Sequence, residues 1–207
     1  MLIFKVGGYV AHEQTGGVTV NIYQKVSVVV ALILYLPLSY QILTRKVTQN
    51  LATFILWGSL DAFAGASIFV AGGNFQLPVA YVFGCTLVVT CILKSGNYNW
   101  TRVETRVSIL VVVCLTAWCV IVWGYDNPWL ATVLSTTGVV LGGFPQLRDS
   151  WRRPEESPWL IYTGYTFVNV LSVVGGKGWT VEERLYPFSC AILCGIIVLV
   201  SLRRTNR

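Results

Sequence analysis

The chain of 207 residues is far more apolar than a water-soluble protein of its length. Hydrophobic residues make up 55% of it and charged residues 12%, whereas about 25% of the residues in soluble proteins are charged. Its mean hydropathy is +0.64. Too little polar surface remains to cover a soluble fold, so the composition excludes a soluble protein and indicates an integral membrane protein.

Seven apolar stretches, separated by short polar joints, fill most of the chain. Because about 20 mostly apolar residues cross a bilayer as a helix, they predict an all-α membrane protein with seven transmembrane helices. The predicted ranges are 27–43, 51–71, 76–93, 107–123, 128–147, 159–175 and 185–202. Residues 1–26 form an outer N-terminal segment, in which Val18, Val20 and Ile22 alternate as in a short strand or belong to an interfacial tail.

Cationic residues gather after every second predicted helix. Eleven of the 15 Lys and Arg lie there: Arg45, Lys46, Lys94, Arg102, Arg106, Arg148, Arg152, Arg153, Arg203, Arg204 and Arg207. Short loops rich in Lys and Arg stay cytoplasmic, so we predict the N-terminus outside and the C-terminus in the cytoplasm. The net charge of +6 therefore reflects the membrane topology, and it does not indicate nucleic-acid binding. Short loops favour a bacterial inner membrane over a lysosomal one.

Two parts of the chain carry the same signals at a nearly constant spacing. Pro37 and Pro145, near the ends of the first and fifth predicted helices, are 108 residues apart. Between the third and seventh helices the spacing is 109, which matches Pro78 with Pro187, Cys85 with Cys194 and Lys94 with Arg203. The glycine pairs at 72–73 and 175–176 are 103 apart and break this register.

This spacing predicts two three-helix repeats joined by a connector helix. The first repeat is 27–94, the cytoplasmic loop and connector are 95–127, the second repeat is 128–203, and 204–207 form a cytoplasmic tail. An odd number of helices per repeat inverts the next unit, and the connector helix restores the orientation. The two repeats are therefore expected to be parallel, related by an axis along the membrane normal.

The sequence Gly143-Phe144-Pro145-Gln146-Leu147 ends the fifth predicted helix with a Pro-Gln pair. With seven helices in a 3+1+3 order and about 200 residues, the chain resembles the PQ-loop superfamily, which includes the SWEET sugar transporters and cystinosin-like transporters. The resemblance covers residues 27–203 and departs at Pro37-Leu38, where the glutamine is missing and Gln41 follows one turn later. It implies a transporter with two helix bundles around a central substrate path.

Asp61 is the one acid deep within a predicted helix. A charged side chain at the bilayer centre costs about 2.5–3.5 kcal/mol, and no Lys or Arg lies at a similar depth in the sequence. Desolvation disfavours the charged form, so Asp61 is expected to be neutral and to donate a hydrogen bond to a solute or pass a proton. The alternative is a permanently protonated acid that bonds a neighbouring helix.

Trp57 precedes Asp61 by one helical turn, so the two side chains share a face. A gapless spacing of 108 matches Trp57 with Tyr165 and Asp61 with Asn169. Aromatic rings beside hydrogen-bonding groups suit a sugar or another small polar molecule, and SWEET-like proteins use tryptophan and asparagine around their substrate in a similar way. These four are the predicted substrate-binding residues; the alternative is that both aromatic residues only pack.

Pro37 and Pro145 each remove a helical hydrogen bond, and Gly142-Gly143 loosens the second site further. These prolines, with Gln146, are predicted to form either hinges of an inner gate or fixed kinks.

The leading functional hypothesis is a transporter of a small sugar-like or amino-acid-like solute that works by alternating access, with proton coupling through Asp61. A facilitator without ion coupling is equally open. The alternative class is a membrane receptor similar to the KDEL receptor, which would want a charged pocket. The predicted helices hold no paired acids, no His cluster and no Ser/His/Asp set, so an enzyme is not expected.

No cofactor or metal is expected either. Cys190 and Cys194 are four residues apart, but further ligands are missing, so they are predicted to pack as small apolar residues. The expected partners are the solute, protons and the lipid bilayer, whereas a homo-oligomer stays open.

Overall fold

The computed structural model describes residues 22–98, 100–125 and 128–203. This part of the chain is helical and contains no strand, which confirms the all-α prediction. The helices are α1 (Ile22–Leu43), α2 (Leu51–Val70), α3 (Gln76–Ser95), α4 (Arg102–Tyr125), α5 (Pro128–Gly142), α6 (Phe144–Arg152), α7 (Trp159–Val174) and α8 (Val181–Ser201). A 3₁₀ turn, Pro154–Glu156, precedes α7.

Six helical segments in the described residues are long and apolar enough to cross a membrane. They comprise α1, α2, α3, most of α4, α5 together with α6, and most of α8. The seventh apolar segment, α7, has 16 residues and is shorter; it spans about 24 Å. An integral membrane protein with seven apolar helical segments therefore fits the prediction.

The surface of the bundle is apolar and several polar side chains lie inside it. Leu199 and Phe83 are exposed by 72% and 67%, while Asp61, Gln146 and Asn169 are buried. Soluble proteins show the opposite distribution. Exposed apolar side chains on nearly every helix are what a lipid environment requires.

We call α1, α2 and α3 the first group of helices, and α5, α7 and α8 the second group. In the first group α3 packs between α1 and α2, and in the second α8 packs between α5 and α7. Contacts of α2 with α5 and of α1 with α7 join the groups, and α4 lies mainly against α5. A space between the two groups is therefore lined by helices from both.

Some predicted boundaries differ from the helices. Helix α1 already includes Ile22, so residues 22–26 belong to it rather than to the outer segment, and Ile22 is helical rather than part of a strand. Val18, Val20 and the tail at 204–207 lie outside the described residues.

The fifth predicted helix is divided. Helix α5 ends at Gly142 and α6 begins at Phe144, so Pro145 occupies the first turn of a new helix, where its missing N–H is least harmful. Pro37 instead lies inside α1, which is continuous from Ile22 to Leu43. Only one of the two predicted hinge sites is thus a break in a helix.

Gly143, between α5 and α6, is packed closely against two other helices. A Cβ atom at Gly143 would lie 2.6 Å from Leu193 Cδ2 of α8 and 3.0 Å from Trp57 Cζ2 of α2. Glycine lets the backbone approach both helices, and Gly143 itself has right-handed helical backbone angles, with φ −78° and ψ −13°. The chain then resumes as a helix at Phe144.

Candidate functional site

A small cavity lies between the two groups of helices. All four predicted binding residues, Trp57, Asp61, Tyr165 and Asn169, line it. The other lining residues are Tyr35, Phe54, Tyr81, Cys85, Val139, Tyr162, Tyr186, Cys190, Leu193 and Cys194. Its volume of about 40 Å³ has room for a few water molecules but not for a sugar or an amino acid.

Asp61 is 2% exposed, and its carboxylate links the two groups of helices. Its Oδ1 accepts a hydrogen bond of 2.7 Å from Tyr186 Oη on α8. No Lys, Arg or His lines the cavity in the described part of the chain. The carboxyl group is therefore held by a phenol rather than by a cation.

Asn169 of α7 makes a second link between the two groups, again with the donor in the group of α5, α7 and α8. Its Nδ2 donates to Tyr81 Oη on α3 and to the carbonyl oxygen of Tyr165 one turn earlier, both at 2.8 Å. Its Oδ1 is buried without a hydrogen-bond partner among the described residues. A buried acceptor left unpaired is unfavourable, so this oxygen is available to a donor on a bound molecule.

Trp57 lines the cavity with its ring, but its N–H is occupied. The indole Nε1 donates to the carbonyl oxygen of Val139 on α5, at 2.9 Å. Its ring packs edge-on against Phe54, with 5.3 Å between centroids. Trp57 therefore anchors α2 to α5 and contributes an apolar wall to the site.

Tyrosines dominate the cavity wall, and most of them were missed by the sequence reasoning. Tyr35, Tyr81 and Tyr165 contact one another, with ring centroids 5.2–6.3 Å apart. Tyr186 and Tyr162 flank this trio at 6.4 Å from Tyr81 and 6.2 Å from Tyr165. We call these five residues the tyrosine box.

A sequence signal for part of the tyrosine box exists. Tyr81 precedes Cys85 by four residues on α3, and Tyr186 precedes Cys190 by four on α8. Residues four apart share a helix face, and Cys85 already belongs to the pattern of repeated signals. Cys85 of α3 and Cys190 and Cys194 of α8 are all buried and line the cavity beside the tyrosine box.

The predicted hinge residues lie away from the cavity lining. Gln146 is 1% exposed, and its Oε1 accepts a hydrogen bond of 2.9 Å from the backbone N–H of Asn50. The backbone N–H of Gln146 donates to Thr53 Oγ1 at 3.2 Å. Asn50 is the N-cap of α2 and accepts from the Thr53 N–H. The Pro-Gln pair thus joins α6 to the start of α2.

The same end of the bundle, which we call the Gln146 end, is sealed by further hydrogen bonds. Asn50 Nδ2 donates to Glu104 Oε1 of α4 at 3.1 Å and to Asp149 Oδ2 of α6 at 2.7 Å. Tyr162, which lines the cavity, donates to Gln49 Oε1 at 2.8 Å. These polar contacts therefore join α2, α4, α6 and α7, and several of them border a cavity of about 210 Å³ at this end.

No protein-family model matches the chain, and no curated protein or solved structure does. Among the described residues, no three His, Cys, Asp or Glu side chains converge in a way that would hold a metal ion.

Proposed function

We propose that the chain is a small-solute transporter of the PQ-loop type, which binds its solute in the central cavity and works by alternating access. The observation that carries the proposal is the pairing of the cavity wall. Five pairs of lining residues are 108 or 109 positions apart: Phe54 with Tyr162, Trp57 with Tyr165, Asp61 with Asn169, Tyr81 with Cys190, and Cys85 with Cys194. Two parallel repeats would line a shared substrate path in this manner.

A direct contact between matched positions supports a repeat axis. Thr48 and Glu156 are 108 residues apart, and they bond each other through Thr48 N to Glu156 O at 3.2 Å and Thr48 Oγ1 to Glu156 Oε2 at 2.6 Å. Equivalent residues meet in this way close to a two-fold axis. The starts of α2 and α7, Leu51 and Trp159, are also 108 apart.

At two pairs of matched positions, one half has the large residue where the other half has the glycine. Tyr35 of α1 packs on Gly84 of α3, where a Cβ atom would lie 1.8 Å from the ring. At the matched positions, the glycine is Gly143 and the large residue is Leu193 of α8. A Cβ atom at Gly143 would lie 2.6 Å from Leu193 Cδ2. Both helix pairs thus pack one large residue against one glycine, which favours a common ancestral unit.

The departure from the Pro-Gln pattern at Leu38 has a physical reason under this register. Gln146 accepts the backbone N–H of Asn50, and the positions matched to these two are Leu38 and Pro158. Proline has no N–H, so a glutamine at position 38 would have no such donor to accept. Leu38 is instead fully buried in the core.

The small size of the cavity supports alternating access. A space of about 40 Å³ admits a solute only when the two groups of helices separate, first on one side and then on the other. The Gln146 end is held by hydrogen bonds that can break and re-form. The break between α5 and α6 at Gly143 provides a position where the second group can bend.

Asp61 is the proposed proton carrier. It is buried, it lines the cavity, and a phenol rather than a cation holds it. A carboxyl group that alternates between a proton and a solute contact couples the two movements. A facilitator would use the same cavity without this exchange.

Uptake into proteoliposomes tests the proposal. Sugars and amino acids of several charges are supplied with and without a pH gradient to the parent protein, to Asp61→Asn and to the exposed-acid control Glu155→Gln. We expect gradient-driven accumulation in the parent and in the control, and its loss in Asp61→Asn.

Each other outcome has a defined meaning. Uptake that ignores the gradient in every variant would replace proton coupling by facilitated diffusion. Solute binding with no uptake at all would contradict the transporter and favour a receptor.

A further inference from the structure

The chemistry of the cavity wall also narrows the class of solute, an inference that rests on the proposed function. Among the described residues, Asp61 is the one charged side chain that lines the cavity. An anion would meet this carboxylate and find no cation to compensate it. The site therefore favours a neutral or a positively charged solute.

The arginine closest to the site in sequence does not alter this balance. Arg184 precedes Tyr186 by two residues on α8, but its guanidinium stacks on Trp179, 3.9 Å from the ring centroid. It donates to backbone carbonyl oxygens of Val173, Gly176 and Gly178 beyond and at the end of α7. Its charge is thus used at the C-terminal end of α7, where it is favourable.

Several hydrogen-bonding groups of the cavity are engaged, while Tyr165 Oη and Asn169 Oδ1 have no partner among the described residues. Tyr186 bonds Asp61, Tyr81 accepts from Asn169, and Tyr162 bonds Gln49. A neutral polyol needs many free donors and acceptors, and few remain here. What the wall offers in excess is aromatic surface, together with one carboxylate.

Aromatic faces attract cations. A cation within about 6 Å of a ring centroid is attracted by the negative face of the ring, and sites that bind quaternary ammonium groups are built from several such rings. Tyr35, Tyr81 and Tyr165 stand mutually edge-on or tilted, with their centroids 5.2–6.3 Å apart. Tyr186 brings this trio into contact with Asp61.

We propose that the solute carries an ammonium-type positive charge, which the Asp61 carboxylate and the tyrosine box hold together. The unpaired Asn169 Oδ1 accepts a hydrogen bond from a donor elsewhere on the same molecule. The solute enters when the two groups of helices separate, because the cavity of about 40 Å³ is too small for the whole molecule.

Matched pairs of probes that differ in charge test this proposal without any mutation. Choline is compared with its uncharged isostere 3,3-dimethylbutan-1-ol, and butylammonium with butan-1-ol, by calorimetric titration of the purified full-length protein. We expect at least one cation to bind about tenfold or more tightly than its neutral partner. Equal affinity within both pairs would overturn the proposal.

Variants then assign the effect to the site. For the cation that binds, Asp61→Asn should weaken binding about tenfold or more, and Tyr81→Leu should weaken it as well. Tyr81→Phe keeps the ring and should stay within a few-fold of the parent, as should the distant control Glu155→Gln. Cation binding that survives both Asp61→Asn and Tyr81→Leu would place the charge elsewhere and overturn the proposal.

The binding experiment and the uptake experiment test the two proposals independently. If a cation binds through Asp61 but never crosses the liposome membrane, the cation site is supported and the transport proposal is contradicted. If neutral sugars are taken up and neither cation binds more tightly than its isostere, the transport proposal is supported and the cation site is contradicted.

Discussion

Tyr35 reaches the cavity because Gly84 has no side chain. The Tyr35 ring lies where a Cβ atom of residue 84 would be, with three ring atoms within 2.2 Å of that position. Tyr35 is 4% exposed and belongs to the tyrosine box. The shape of the site therefore depends on a residue that does not line it.

Replacing Gly84 with Ala should displace Tyr35 and destabilise the protein. Overpacking of this kind costs about 1–3 kcal/mol, and we expect a lower thermal midpoint for the detergent-solubilised protein. The matched control is Gly195→Ala on α8, where the nearest atom to a new Cβ is Thr166 Cγ2 at 4.0 Å. This control should be neutral, and a Gly84→Ala variant of the same stability would contradict the packing argument.

At the residue scale, one part of the site was predictable and another was not. Trp57 and Asp61 follow from helical periodicity, and a constant spacing leads from them to Tyr165 and Asn169. Tyr35 has no such signal, because its position depends on Gly84, which is distant in sequence and lies on another helix. Contacts between helices are set by three-dimensional packing, which a single sequence does not display.

The start of α2 is the element on which the Gln146 end depends. Its first backbone donors are satisfied by two side chains, since Asn50 caps the Thr53 N–H and Gln146 accepts the Asn50 N–H. Helix starts carry donors without partners inside the helix. Here the partner comes from α6, so the two helices are held in register.

Gln146→Leu should loosen this end of the bundle. It leaves the Asn50 N–H buried without an acceptor, which costs about 1–3 kcal/mol. We expect a lower thermal midpoint and faster hydrogen exchange of the amides at the start of α2.

A suitable control is Gln41→Leu, because Gln41 is half-buried at the end of α1 and lies outside the contacts described above. Unchanged exchange at the start of α2 in Gln146→Leu would exclude the proposed link.

Element boundaries were largely predictable from apolar runs, and Pro145 with Gly142-Gly143 marked the division of the fifth helix as a hinge or kink. The apolar stretch continues through Gly142, Gly143 and Phe144, so hydropathy alone predicts one span. The hydrogen bonds of the helix are interrupted there because Pro145 has no N–H and the Gln146 N–H donates to Thr53 Oγ1 of α2. Pro145 marks the site in the sequence, yet the same residue type leaves α1 continuous at Pro37.

The orientation of the protein in the membrane, that is, which end faces the cytoplasm, can be measured. Arg102 and Arg152 are exposed near the Gln146 end, at the start of α4 and the end of α6, whereas Lys177 follows α7 at the opposite end. The distribution of Lys and Arg predicts that the Gln146 end faces the cytoplasm.

One cysteine introduced at each of these three positions in turn tests the orientation in intact cells. An impermeant maleimide should label Lys177→Cys, while Arg102→Cys and Arg152→Cys should react only after the membrane is permeabilised. The parent protein, with its six native cysteines, gives the background signal. Labelling of Arg102→Cys in intact cells would reverse the orientation.

The interruption at Gly143 gives the two halves of the molecule different local structure. Helix α1 is continuous from Ile22 to Leu43, whereas the fifth predicted span is divided into α5 and α6. Under the proposed function, α6 is expected to bend relative to α5 while α1 keeps its shape. A solute leaving through the Gln146 end would then pass one wall that moves and one that does not.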